Sequence, residues 1–256
     1  MPVDFRGISY YIWTKMTMGQ IGSGLGFSKD MLVKILAAVF LNPADTDRNG
    51  KKIFIQNFLG CGCPDEVVEE ARIRFFARPL GALFEQRTAQ SGLSPSLTTL
   101  EQDVNRLVGL PKTLKWPRRP SDELIPPVSW RRPMIEAVAR TPKHLKKLSA
   151  LRSMSKATMD AVIEVPGRAF FFLVAFETKR PKKTDLLAQY ESGQLLYKLM
   201  GYNRCRLFTI TQKDEPKIIA EIDTALTWQG LHNAFFEARH RYPIADSVLD
   251  LFDREA

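Results

Sequence analysis

The chain has 256 residues, 45% hydrophobic and 25% charged, enough to bury one large core or two modest ones. No apolar run reaches bilayer-spanning length, and the first residues lack the basic, apolar and small-residue order of a signal peptide. The three cysteines are an odd and sparse set, with Cys61-Gly62-Cys63 too closely spaced for a usual zinc knuckle, so reduced thiols in an intracellular, non-membrane protein are expected.

Ile8–Met18, rich in Tyr, Ile, Trp and Thr, reads as a strand or short buried element. Gly19, Gly22, Gly24 and Gly26 follow as a loop. Phe27 stands at the third glycine position of a dinucleotide fingerprint, so a plain turn is the reading preferred over nucleotide binding. Ser28 opens a helix whose apolar body, Met31–Leu41, stops at Asn42-Pro43. The next stretch, Asp45-Thr-Asp47-Arg-Asn49-Gly50, begins like a calcium loop, but Lys52 and Gln56 replace the apolar anchor and the bidentate Glu. A polar turn leading into a strand at Ile53–Phe58 is expected instead.

Pro64–Phe84 reads as a helix with an acidic start and a basic continuation, the order favoured by the helix dipole. A second helix is expected at Thr98–Val108. Six prolines between 111 and 133 then exclude regular helix and predict an extended, basic connector between two halves. Trp116 and Trp130 lie within it, either anchoring the connector to its own domain or stacking nucleic-acid bases.

Charge is uneven. Residues 112–152 hold eleven Lys/Arg against Asp122, Glu123 and Glu136, so this stretch carries eight of the nine net positive charges. A solvated helix face explains such a run, and so does the electrostatic footprint of a nucleic-acid backbone. Arg131, Arg132, Lys143, Lys146 and Lys147 are the candidate phosphate contacts here.

The second half reads helix 134–151, strand 159–165, turn Pro166-Gly167-Arg168, strand 169–179, helix 184–200, strands 204–211 and 217–223, and helix 225–241. Thr184 or Asp185 is expected to cap the long helix and Gly201 to end it. Asp160 opens the first strand of the hairpin. Glu177 and Lys179 follow the apolar run Phe170–Phe176, two residues apart and therefore on one face of an extended segment. Carboxylates and an ammonium beside so apolar a hairpin carry a desolvation cost that a bound divalent ion would offset.

At Asp160 and Glu177-Thr178-Lys179 the sequence resembles the PD-(D/E)xK nuclease superfamily, over about residues 131–223. Met159 stands where that family often has Pro. The resemblance implies an α/β fold with a mixed central sheet flanked by helices (restriction-endonuclease-like), here preceded by a mainly helical N-terminal region. The division expected is 1–110 helical and of unknown role, 111–133 connector, and 134–256 nuclease-like domain. It also implies Mg²⁺ or Mn²⁺ held by Asp160 and Glu177, with the Thr178 carbonyl completing the ligands, and Lys179 orienting the attacking water or steadying developing charge.

On the long helix, Gln189 and Gln194 are either polar surface or reach the site, Gln194 being the preferred catalytic candidate. Lys182 and Lys183 follow the motif directly and are placed to meet phosphates. Glu164, on the same strand face as Asp160, is a further carboxylate for the site or a partner for Arg168. Glu136 is an optional extra acidic ligand. The function expected is metal-dependent hydrolysis of nucleic acid, DNA rather than RNA, by a protein compatible with a homodimer. The alternatives are a non-catalytic nucleic-acid-binding or protein-interaction module on such a fold, and a cap-snatching-type RNA endonuclease.

Overall fold

The computed structural model describes residues 28–41, 49–89, 96–176, 180–212 and 216–253. The expected strand at Ile8–Met18, the glycine loop, the start of the calcium-like loop and the residues Glu177, Thr178 and Lys179 lie outside them.

Helix α1 (Lys29–Leu41) begins where Ser28 Oγ accepts the Met31 N–H at 3.0 Å. A short helix α2 (Asn49–Lys52) continues as a π-helical segment, Ile53–Phe58, where a strand was expected. Ile53, Phe54, Ile55 and Phe58 are all buried. A short apolar run of this kind satisfies a buried helix as well as a strand, and packing decides between them. Gln56, at the calcium-loop terminus, donates to the Cys63 carbonyl at 2.6 Å and to Asp65 at 2.8 Å, which gives it a structural role.

The expected helix at 64–84 is three elements: α3 (Asp65–Glu69), strand β1 (Arg72–Ala77) and α4 (Pro79–Ala89). Arg72-Ile73-Arg74-Phe75 has the period-two alternation of an edge strand, and Arg74 reaches Glu164 on the neighbouring strand at 2.6 Å. Helix α5 (Ser96–Leu107) agrees with its expectation within two residues. The proline-rich stretch then contributes Leu114, Trp116, Leu124 and Trp130 to a separate hydrophobic cluster, with one 3₁₀ turn at Pro127–Ser129. The single helix expected at 134–151 is two, α6 (Arg132–Val138) and α7 (Pro142–Lys156). The break comes where Thr141 caps α7 by accepting the His144 N–H at 3.1 Å, with Pro142 as first residue.

Strands β2 (Met159–Val165) and β3 (Ala169–Phe176) form the expected hairpin, turning at Gly167 with φ +72°. Helix α8 (Lys183–Met200) has Lys182, not Thr184 or Asp185, as its N-cap, and it ends at Gly201 with φ +69°. Strand β4 (Arg204–Thr211) follows. Residues 217–223 are turn rather than strand. Asp223 accepts the Leu207 N–H at 2.8 Å through its side chain, and the short strand β5 (Thr224–Thr227) begins only after it. Helix α9 (Trp228–Ala238) occupies most of the helix expected at 225–241, whose first residues belong to β5, and a further helix, α10 (Pro243–Asp253), follows it.

Among the described residues these strands make one mixed sheet in the order β1-β2-β3-β4-β5. The first three are mutually antiparallel, and β4 and β5 run parallel to β3. The protein is therefore α/β. All eight residues of β3 are buried, because both faces of the sheet are covered. Ile163, Phe171, Leu173 and Phe208 pack against α1, the π-helical segment, α9 and α10. Val162, Phe172 and Val174 meet Leu186 and Leu196 of α8 on the other face.

Helix α8 crosses very close to the sheet at Gly193. A Cβ there would lie 2.8 Å from Cys205 Sγ and nearer still to the Phe172 ring. The third cluster, built from α4, α5, α6 and α7 with Trp116 and Trp130, sits beside α8 through Leu195.

The expected division at the connector does not follow the core. Strand β1 and helix α1 come from the first 110 residues, yet they belong to the sheet and its main hydrophobic cluster. The connector is packed: Trp116 and Trp130 are each 1% exposed and meet edge to face. Trp116 Nε1 donates to Asn105 at 2.8 Å, and its backbone N–H donates to buried Glu101. These tryptophans anchor, and neither ring is open to a base. No helix among the described residues is long and apolar enough to cross a membrane.

Candidate functional site

Asp160 sits where two ladders fail together. The β2–β3 pairing runs only from Val165–Ala169 to Ala161–Leu173. In the β1–β2 pairing, Phe75–Ala161 and Ala77–Met159 are rungs, whereas Phe76 and Asp160 are skipped. Phe76 has φ +46°, an uncommon conformation for a bulky residue, and its side chain is 44% exposed. Strain of this kind persists where surrounding structure enforces it and is enriched at functional sites.

The gap between β2 and β3 is closed by the Asp160 carboxylate itself. Its Oδ2 accepts the Ala175 N–H at 2.7 Å, pairing a backbone donor left without a ladder partner. Its Oδ1 accepts from Lys29 Nζ at 2.9 Å, at the first residue of α1. The carboxylate is only 15% exposed, so the ammonium supplies the positive charge that a partly desolvated anion requires. A cation-binding carboxylate at this position is thus chemically consistent, with Lys29 filling the cation's electrostatic role.

β3 leads from Ala175 and Phe176 directly into residues 177–179, so Asp160 is tied to the strand that precedes Glu177 and Lys179. Those two side chains lie outside the described residues. Among the described residues no group of three His, Cys, Asp or Glu is arranged to hold a metal.

The other candidates are dispersed. Gln189 Nε2 donates to the Thr158 carbonyl at 2.7 Å, placing the start of α8 over the Asp160 end of the sheet. Its Oε1 is buried and has no partner among the described residues. Gln194 is not brought to Asp160. It lies five residues farther along α8, about 7.5 Å of helix rise, and lines a groove with Arg204 and Cys205. Lys182 and Lys183 are exposed at the start of α8, at the same sheet end as Asp160.

The basic block divides. Arg131 is exposed, Arg132 pairs with Glu136 at 2.7 Å, and Lys143 and Lys146 are exposed near the start of α7. Lys147 donates to the Gly109 carbonyl at 2.5 Å. Lys143 stands about 20 Å of helix rise before Lys156, the residue at the Asp160 end of α7. Farther back, Lys115 and Arg118 face buried Glu101 at 3.9 and 3.4 Å.

Glu164 takes neither role expected for it. It accepts from Arg74 at 2.6 Å and from the Tyr202 hydroxyl at 2.5 Å, with Tyr202 stacked on Phe170 at 4.4 Å. Burial, followed by the Glu164 bond, pushes the Tyr202 phenol up to about 12. Glu136 is accounted for by its exposed pair with Arg132.

Sequence reasoning missed Lys29 and Phe76. Neither had a signal, since Lys29 opens an ordinary helix and Phe76 lay within a stretch read as helical. Comparisons of this chain with protein families, curated proteins and solved structures return no match.

Proposed function

We propose that this protein is a divalent-metal-dependent nuclease acting on DNA, with Asp160 and Glu177 as metal-holding carboxylates and Lys179 as the cation beside the attacked phosphate. The observation that carries this reading is the position of Asp160, partly buried at the point where β2 separates from β3, with its carboxylate bonded to β3 two residues before Glu177. The element order supports it too. Helix α7, the β2–β3 hairpin, helix α8 and a parallel β4 follow one another in the succession that the sequence resemblance implies.

Bound Mg²⁺ or Mn²⁺ would polarise the phosphate and lower the pKa of its water. The chain's own residues would do the rest. Asp160 and Glu177 would hold the ion, Lys179 would orient the nucleophile, and Lys182 and Lys183 would attract the phosphate backbone. Gln189 fixes the start of α8 against the strand carrying Asp160.

The Lys29–Asp160 pair favours a second reading, a module that binds nucleic acid without cutting it, because the carboxylate already has a counter-charge. One experiment separates the two. The purified protein is incubated with single- and double-stranded DNA and RNA in Mg²⁺, Mn²⁺ or EDTA, alongside Asp160→Asn, Glu177→Gln and Lys179→Ala. The nuclease reading expects metal-dependent cleavage of DNA that each substitution abolishes while binding persists. Absent or EDTA-insensitive degradation on every substrate overturns it.

A further inference from the structure

At the end of the sheet opposite Asp160 lies an open groove of about 630 Å³, within the size range of small-molecule sites. It is bounded by the loop at Gly60 and Gly62, the later turns of α8 and the start of β4. Ala169 pairs with Arg204, whereas Asp160 bonds Ala175, six residues along β3, so the groove and Asp160 are about 20 Å apart.

The two arginines of the groove differ in kind. Arg206 is committed: it pairs with Asp223 at 3.2 Å, donates to Cys61 Sγ at 3.4 Å and lies over the Phe208 ring. Asp223 is correspondingly engaged on both oxygens, the second accepting the Leu207 N–H. Arg204 is exposed and has no carboxylate partner among the described residues. Arg204 thus presents the groove with a guanidinium that no carboxylate of the described residues holds, while Asp223 is engaged by Arg206.

The remaining walls suit the same ligand. The Gln194 and Asn203 amides line the groove and show no side-chain hydrogen bond among the described residues, so both have donors to offer. Tyr197 adds a ring and a hydroxyl. Burial pushes the Cys205 thiol up to about 12, so no thiolate competes for the guanidinium. Gly60 has φ +61°, and a Cβ at either Gly60 or Gly62 would meet nothing within 4 Å, which leaves that wall open.

We propose that this groove binds a small organic phosphate of nucleoside-monophosphate size, with its phosphate on the Arg204 guanidinium and the Gln194 and Asn203 amides and its flat ring towards Tyr197. Arginine presents a planar fork of donors matched to phosphate oxygens. The site is independent of the nuclease reading and shares no residue with Asp160.

Calorimetric titration of the full chain with adenosine monophosphate, inorganic phosphate and adenosine tests it. Saturable binding of the monophosphate, weaker binding of inorganic phosphate and none of adenosine are expected. Arg204→Gln and Gly62→Leu should each weaken monophosphate binding at least tenfold, with Asp160→Asn unchanged. Gly62→Leu fills open space, and circular dichroism confirms that both variants fold. Absence of saturable monophosphate binding, equal binding of adenosine, or unchanged affinity in both groove variants overturns the proposal.

Discussion

Lys29 Nζ and Asp160 Oδ1 lie 2.9 Å apart although 131 residues separate them in the chain. The contact ties the start of α1 to the start of β2, and so joins the first 110 residues to the hairpin that carries the candidate site. Asp160 also holds the Ala175 N–H, so its removal has two consequences. Asp160→Ala leaves a buried donor unpaired and should destabilise the fold by about 1–3 kcal/mol, whereas Asp160→Asn keeps an acceptor and should lose less. Urea midpoints of the two variants check this, and equal midpoints would refute the dual role.

Lys29→Met bears on the metal. Lys29 is 39% exposed, so its pair with Asp160 contributes only modest stability. Its ammonium nevertheless opposes any second cation at the carboxylate. On the nuclease reading Lys29→Met should tighten Mn²⁺ binding several-fold, measured by the free-Mn²⁺ electron spin resonance signal. Weaker binding would instead make Lys29 a supporting residue.

Phe76 is strained and exposed, while its neighbour Phe75 packs against the main core. Phe76→Gly relieves a positive φ, gaining about 1 kcal/mol against a similar entropic loss, and should leave stability nearly unchanged. Phe75→Gly should lose about 2–4 kcal/mol of packing. Thermal or urea unfolding of the two variants gives the comparison, and a large loss in Phe76→Gly would mean that the exposed ring has a packing role.

Gly193 lets α8 approach the sheet. Gly193→Ala forces a methyl against the Phe172 ring and Cys205 Sγ and should destabilise the protein by about 1–3 kcal/mol, although alanine is the better helix former. A shift of the unfolding midpoint to higher denaturant would show that the helix has room to move.

One buried acid and two partly buried ones predict the alkaline limit. Burial pushes Cys61 up to about 11 and Cys205 to about 12, and Tyr202 is also held near 12. Each is neutral when protonated and ionises more readily once unfolded, so between their ordinary values and these raised ones the unfolded chain binds fewer protons. The stability they contribute is complete below about pH 9 and declines as pH rises through 11 and 12. Unfolding free energies from pH 8 to 11 should fall, and the buried Cys61 thiol should react with a disulfide reagent at neutral pH only after denaturation.

Much of the second half was legible in the residues. The unbroken run Ala169–Phe176 announces a strand buried on both faces, Gly167 and Gly201 mark a turn and a helix end, and β4 occupies the residues expected of it. The first half misled for identifiable reasons. Ile53–Phe58 is only six residues long, with Gln56 and Asn57 interrupting its apolar side chains, so neither period is expressed clearly in it. Arg72–Ala77 is an edge strand whose helix-compatible side chains become a strand only through pairing with β2. The proline-rich stretch reads as a connector because composition excludes helix, yet Trp116, Asn105 and Glu101 bond it into a core.

By itself the sequence determined the local grammar: which segments are apolar on one face or on both, where helices start and stop, and that a carboxylate opens β2 beside a buried hairpin. Only the tertiary structure decided that Lys29 pairs with Asp160, that Gln189 rather than Gln194 shares its end of the sheet, and that Arg204 at the other end has no carboxylate partner among the described residues. The reason is range. Propensity and capping act over a few residues, whereas the partner of a charge is set by which distant elements the closing core brings within about 4 Å.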